Sequence, residues 1–121
     1  MSVLHCTYDP DSKGGQTSDG RKVRGTVHWA GADAVKVELR LYDRLFNAEN
    51  PADVPDEEFK KIINPDSLIV VKNCLAQGTL ANAAAGDIFQ FMRQGYFCAD
   101  KDSTPDNPVF NRTVSLNSSW K

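Results

Sequence analysis

At 121 residues, with 40% hydrophobic and 25% charged side chains, the chain has room for one globular domain with a modest core. A formal net charge of −2 argues mildly against a free-standing nucleic-acid binder, which usually carries a basic excess. No apolar run approaches the roughly 20 residues of a membrane helix, and neither a basic region nor an apolar stretch opens the chain as in a secretory signal.

The acidity is local. Asn47 to Asp66 holds six acids against two lysines, a balance of −4, so the remainder sums to +2 and one face elsewhere can be positive. The three cysteines, Cys6, Cys74 and Cys98, are odd in number and far apart. That pattern predicts reduced thiols in a cytoplasmic protein, not a disulfide framework.

In chain order, His5 to Gly20 carries the turn signals Asp9-Pro10, Gly14-Gly15 and Asp19-Gly20, which predict a short strand entering a loop or hairpin. In RKVRGTVHWAG, Val23, Val27 and Trp29 alternate with Arg24, Thr26 and His28, the period of a strand with one apolar face. Arg21, Lys22 and Arg24 there suit either a solvated strand edge or contact with phosphates. Ala34 to Phe46 has the cleanest alternation: Val35, Val37, Leu39 and Leu41 point one way, Lys36, Glu38, Arg40 and Tyr42 the other.

PADVPDEEFKKIINP reads as a short helix, with Asp53 as N-cap, acids in the first turn, lysines in the last, and Pro65 as stop. The adjacent Glu57 and Glu58 fit a solvated helix start better than acid–base catalysis. Leu68 to Asn73 is an apolar run suited to a buried strand. The segment from Cys74 to Asp87 ends in the turn AAAGD.

The stretch FQFMRQGYF, Phe89 to Phe97, is expected to be the central strand, with VFNRTVSL, Val109 to Leu116, as its partner across the polar loop ADKDSTPDNP. Phe89, Phe91 and Phe97 keep the parity of a half-buried strand. Gln90, Arg93 and Gln94 interrupt the apolar pattern with groups that suit a planar ligand: an amide is a paired donor and acceptor, and a guanidinium is a fork with a stacking face. Such groups can read the edge of an unpaired base. Short strands, one short helix and no alternating strand–helix rhythm define an all-β barrel or sandwich.

Catalytic patterns are not visible. His5 and Cys6 have no second pair at zinc-ligand spacing. KGGQTSDG lacks the Gly-Lys-Ser/Thr ending of a phosphate loop. The reading therefore assigns no catalytic residue, metal or cofactor to the chain.

CTYDPDSKGG, DGRKVRGTVHW, VELRLYDRLF, INPDSL, FQFMRQGYFCADKDST and PVFNRTVSL together cover nearly all of the chain. In order and spacing they closely resemble the C-terminal part of the glutaminyl-tRNA synthetase family. The resemblance implies two anticodon-binding β-barrels: residues 1–33 as the end of the distal one and 34–121 as a partial proximal one. It implies the anticodon stem-loop of tRNA(Gln) and the catalytic domain of the same polypeptide as partners, with no membrane and no DNA. That catalytic domain, which uses ATP and magnesium, lies upstream in the family, so Met1-Ser2 is expected to be an artificial or fragmentary start.

In the family the Gln and Arg of Phe-Gln-Phe-x-Arg contact the middle anticodon base, a uridine; those positions are Gln90 and Arg93 here. Uracil presents two acceptors and one donor, which a Gln amide and an Arg can satisfy together. Residues three apart face opposite sides of a regular strand, so shared contact requires a distortion, for which Gly95 is suited. Arg21, Lys22 and Arg24 remain candidates for the tRNA backbone. Two departures stand out: Met92 where an acidic residue is common, and Asn117-Ser118-Ser119-Trp120 for the usual Arg-Asp-Thr-Trp. Alternatives are the anticodon domain of a related glutamyl-tRNA synthetase, which DGRKVRGTVHW disfavours, and a β-barrel protein-interaction module.

Overall fold

The computed structural model describes residues 2–14, 16–25 and 27–116. Its strands are β1 (Val35–Tyr42), β2 (Leu68–Ala76), β3 (Ile88–Phe91), β4 (Gly95–Ala99) and β5 (Val109–Ser115). They form one sheet in the order β2-β1-β5-β4-β3, in which only β1 and β5 run parallel. The all-β class holds, and these five strands make an open sheet with β2 and β3 at its edges.

Alternation in β1 works as its residues dictate. Val35, Val37, Leu39 and Leu41 all join the hydrophobic cluster of Val37, Phe97, Ala99 and Phe110. Phe89 and Phe91 pack on the same cluster, Phe91 stacking on Phe97 with ring centroids 4.4 Å apart and meeting Phe110 edge-on at 5.4 Å. Such pairs add about 0.5–1.5 kcal/mol each beyond burial. The centre of the fold is thus the face of β1, β5 and β4.

On the opposite face a charged cluster ties the middle strands to the loop after β4. Arg40 donates to Glu38 and to Asp102, each at 3.1 Å, and lies 3.6 Å from Asp100. Asp100 also accepts from the backbone N–H of Asp102 at 2.8 Å and from the Asn111 amide. The Asp102 N–H first, then Asn111 and the Arg40 charge, hold the Asp100 carboxyl below the usual aspartate range. Hydrogen bonds from Arg40 to Asp102 and Glu38 push the guanidinium up in turn.

Several expectations are corrected. Phe89 to Phe97 is a hairpin, not one strand: β3 ends at Phe91, Met92 to Gln94 turn, and β4 starts at Gly95. A three-residue turn returns Phe97 to the face of Phe91, so residue parity alone mimics a continuous strand. Val109 to Leu116 does supply the partner, since β5 pairs antiparallel with β4. Arg21 to Gly31 forms no strand among the described residues, because its alternation meets no partner there. His5 to Gly20 likewise gives turns and a single Lys13–Gln16 bridge.

The expected helix is two 3-10 turns, Pro51–Asp53 and Phe59–Ile62. Pro55 removes a backbone donor between them. Asn50, not Asp53, is the cap, accepting from the Ala52 N–H at 3.2 Å while its own amide donates to Asp53 at 2.8 Å. Finally, Leu68 to Asn73 is a strand but not a buried one. As part of edge strand β2, Leu68, Ile69 and Val70 remain 42–48% exposed.

Among the described residues no helix is long and apolar enough to cross a membrane. The altered tail Asn117 to Trp120 lies outside the described residues.

Candidate functional site

The β3–β4 hairpin positions the two residues singled out for a planar ligand. Gln90 sits on β3 opposite Tyr96 and is exposed, since its neighbours Phe89 and Phe91 claim the core face. Arg93 lies in the turn, closed by a hydrogen bond from the Gln94 N–H to the Phe91 carbonyl at 2.9 Å. This turn takes Arg93 out of the strand alternation, so strand parity does not set its direction relative to Gln90.

Arg93 carries the second notable feature, a φ of +66°. Third place in this turn requires the left-handed region, which glycine or asparagine normally fills. An arginine there costs about 1–2 kcal/mol of backbone strain. Strained non-glycine residues at an exposed tip point to a demand other than folding. Gly95, at φ +142°, is required for shape: a methyl group on it would collide with the Val114 carbonyl oxygen.

Beside the hairpin runs a groove of about 700 Å³, floored by apolar residues such as Leu39, Leu41 and Phe91 and bordered by Gln90, Gln94 and Arg112. Gln90 reaches it because β3 is an edge strand. Arg93 is not part of the groove lining. Arg112 is the unexpected member. Opposite Leu41 and Phe97 in register, it brings a partly buried cation to the apolar face, and it makes no ion pair among the described residues. The sequence carried a signal for it, an arginine at an apolar-parity position two residues after Phe110, but an alternating strand pattern absorbed it.

Arg21, Lys22 and Arg24 lie in an exposed segment without regular secondary structure, well removed in sequence from the hairpin. The three are not equivalent. Arg21 is engaged by Asp19, with Nε 2.6 Å from its carboxylate and Asp9 at 3.9 Å. A backbone bond from Arg21, with Thr17 and the Arg21 side chain assisting, holds the Asp19 carboxyl below its ordinary value. Lys22 and Arg24 make no ion pair among the described residues. Nor do three or more His, Cys, Asp or Glu side chains gather at metal-binding geometry among the described residues.

A polar hairpin tip, an edge-strand groove with amide and guanidinium borders, and a basic exposed segment on an all-β frame describe a recognition module. The chain belongs to the family described as tRNA synthetases class I (E and Q), anti-codon binding domain, whose model matches residues 26–100. Among curated relatives it is 52% identical to the glutamine–tRNA ligase of Vibrio parahaemolyticus, over 99% of this chain and 21% of that protein. It is 54% identical to that of Stutzerimonas stutzeri, over 97% of this chain and 21% of the relative. With the glutamine–tRNA ligase of Escherichia coli O1:K1 it shares 49% identity over 99% of this chain and 22% of the relative. The chain therefore spans about a fifth of the length of the curated relatives it matches.

Proposed function

We propose that this chain recognises the anticodon stem-loop of tRNA(Gln) for a glutamine–tRNA ligase, and that Gln90 and Arg93 read the middle anticodon base. The observation that carries the site assignment is the strained, exposed Arg93 at the tip of a hairpin whose β3 arm presents Gln90. A uridine edge fits an amide that gives one bond and takes another, completed by a guanidinium donor. Lys22 and Arg24 serve as backbone contacts that position the RNA without reading it, with Arg21 the weaker candidate because of Asp19.

In this reading residues 1–33 end a distal barrel and 34–121 belong to a proximal one. The polypeptide acts in the cytoplasm, and its catalytic part, using ATP and magnesium, lies outside this chain. Lys13 to Gly20 does not fit a nucleotide phosphate: its described residues form exposed turns with no helix after them.

The test is aminoacylation by the polypeptide that carries this chain, using tRNAs that differ only at the middle anticodon base. Arg93→Ala and Gln90→Ala should lower efficiency for the uridine tRNA and narrow its advantage over the others, Arg93 more severely because its bond is charged. Equal losses on every tRNA would make both residues structural or phosphate-binding.

The exposed apolar row of β2 favours a second reading, a surface that docks on protein. Steep weakening of RNA binding with salt supports the first reading; RNA binding indifferent to salt supports the second.

A further inference from the structure

Tyr96 is exposed by 41%, although both its neighbours in β4, Gly95 and Phe97, are buried. The strand register explains why. Phe97 takes the core face, and Tyr96 must take the other, directly opposite Gln90 on β3 and opposite Val114 on β5. Directly opposed residues on antiparallel strands hold their Cβ atoms roughly 4.5–5.5 Å apart. Gln90 and Tyr96 are therefore cross-strand neighbours on the sheet, next to the turn that carries Arg93.

The strand beneath the ring is held firmly. The Thr113 hydroxyl donates to the Tyr96 carbonyl at 3.2 Å, at the point where the β4–β5 register shifts. The register sets Val114, 53% exposed, opposite Tyr96 on its other flank, so the ring has an apolar neighbour there. The Tyr96 hydroxyl makes no hydrogen bond among the described residues. Hydrogen bonds from an amide and a guanidinium fix the edge of a base but leave its two faces open. In single-stranded RNA recognition an aromatic ring usually covers one of them.

We infer that Tyr96 is the stacking platform for the base whose edge Gln90 and Arg93 read. This rests on the proposed reading of the middle base and adds a specificity-supporting contact to it. The ring supplies a face for any base, while discrimination stays with the amide and the guanidinium.

The test uses the full polypeptide, with Tyr96→Phe, Tyr96→Leu, Gln90→Ala and Arg93→Ala, and two tRNAs: the normal one and one abasic at the middle anticodon position. Tyr96→Phe should bind the normal tRNA like the parent, because the ring remains. Tyr96→Leu, apolar but not aromatic, should bind it roughly 5- to 100-fold more weakly. On the abasic tRNA both should match the parent, which has lost its own contact. Equal losses by Tyr96→Leu on the two tRNAs would put the ring against another part of the polypeptide and overturn the proposal. No loss on either would overturn it as well. If Gln90→Ala and Arg93→Ala keep their base-dependent losses while Tyr96→Leu has none, stacking alone fails; if they too lose nothing specific to the base, the middle-base reading falls with it.

Discussion

In the proposed reading Arg93 is the residue at which folding and recognition make opposite demands, and replacing it with glycine separates them. Its φ of +66° costs an L-residue about 1–2 kcal/mol. Arg93→Gly removes that cost but frees the unfolded chain, which returns about 0.5–1 kcal/mol to the unfolded state. Taking the midpoints, the net gain in hairpin stability is about 0.75 kcal/mol. Amides bonded within the hairpin, Gln94 among them, should then exchange with solvent roughly two- to fivefold more slowly. Arg93→Ala keeps the strain and should show no such gain. Both variants lose the guanidinium, so both should lose about 1–3 kcal/mol of discrimination at the middle base. Hydrogen exchange on the hairpin and aminoacylation of tRNAs varied at that base measure the two effects on the same proteins. A glycine variant no more protected than wild type would refute the strain argument. One that still favours uridine as strongly would remove Arg93 from the reading site.

Gly95→Ala should cost at least about 2 kcal/mol, from its left-handed φ together with the collision with Val114, and denaturant unfolding would measure it. Lys22→Ala and Arg24→Ala should each reduce the slope of log affinity against log salt by about 1, while Arg21→Ala changes it less because Asp19 already neutralises it; filter binding at several salt concentrations checks this. Asp100 titrates below 3.8 when folded, so its contribution to stability is complete above that ordinary value and is lost as pH falls through the folded one. Exchange at Val109 and Asp102 should therefore accelerate on acidification below about pH 4, and Asp100→Asn should flatten that dependence.

Much of this was legible in the sequence, because β1 alternates without interruption and because long segments carry a family pattern. The boundaries were less so. In Phe89 to Phe97 a three-residue turn preserves the even spacing of the phenylalanines, so a hairpin and a strand share one pattern. The turn signal, Arg-Gln-Gly, is weak because arginine occupies the position where glycine would advertise the turn. Pro51 to Pro65 looked helical through its charges, yet Pro55 removes a backbone donor in the middle and leaves two short 3-10 turns. Leu68 to Asn73 looked buried by composition, but composition does not encode rank in a sheet, and β2 is at the edge. Segment 21–31 shows the converse: alternation is permission to form a strand, and pairing requires a neighbour. Gln90 and Arg93 were visible as residues; their relation to Tyr96 needed the register.

The position of β5 sets when this fold can exist at all. It is the last of the five strands in chain order, yet it is inserted between β1 and β4, and its parallel register with β1 joins residues such as Leu39 and Phe110 across most of the chain. Without it the sheet falls into two separate hairpins, β1–β2 and β3–β4, and isolated two-stranded hairpins are marginal in water. A ribosome making this segment therefore holds two unsatisfied halves until residues 109–115 clear the exit tunnel. Closure then occurs in one late, non-local step of the kind that folds slowly. Release of the β5 segment, more than synthesis of the β3–β4 hairpin, decides when the sheet can first form.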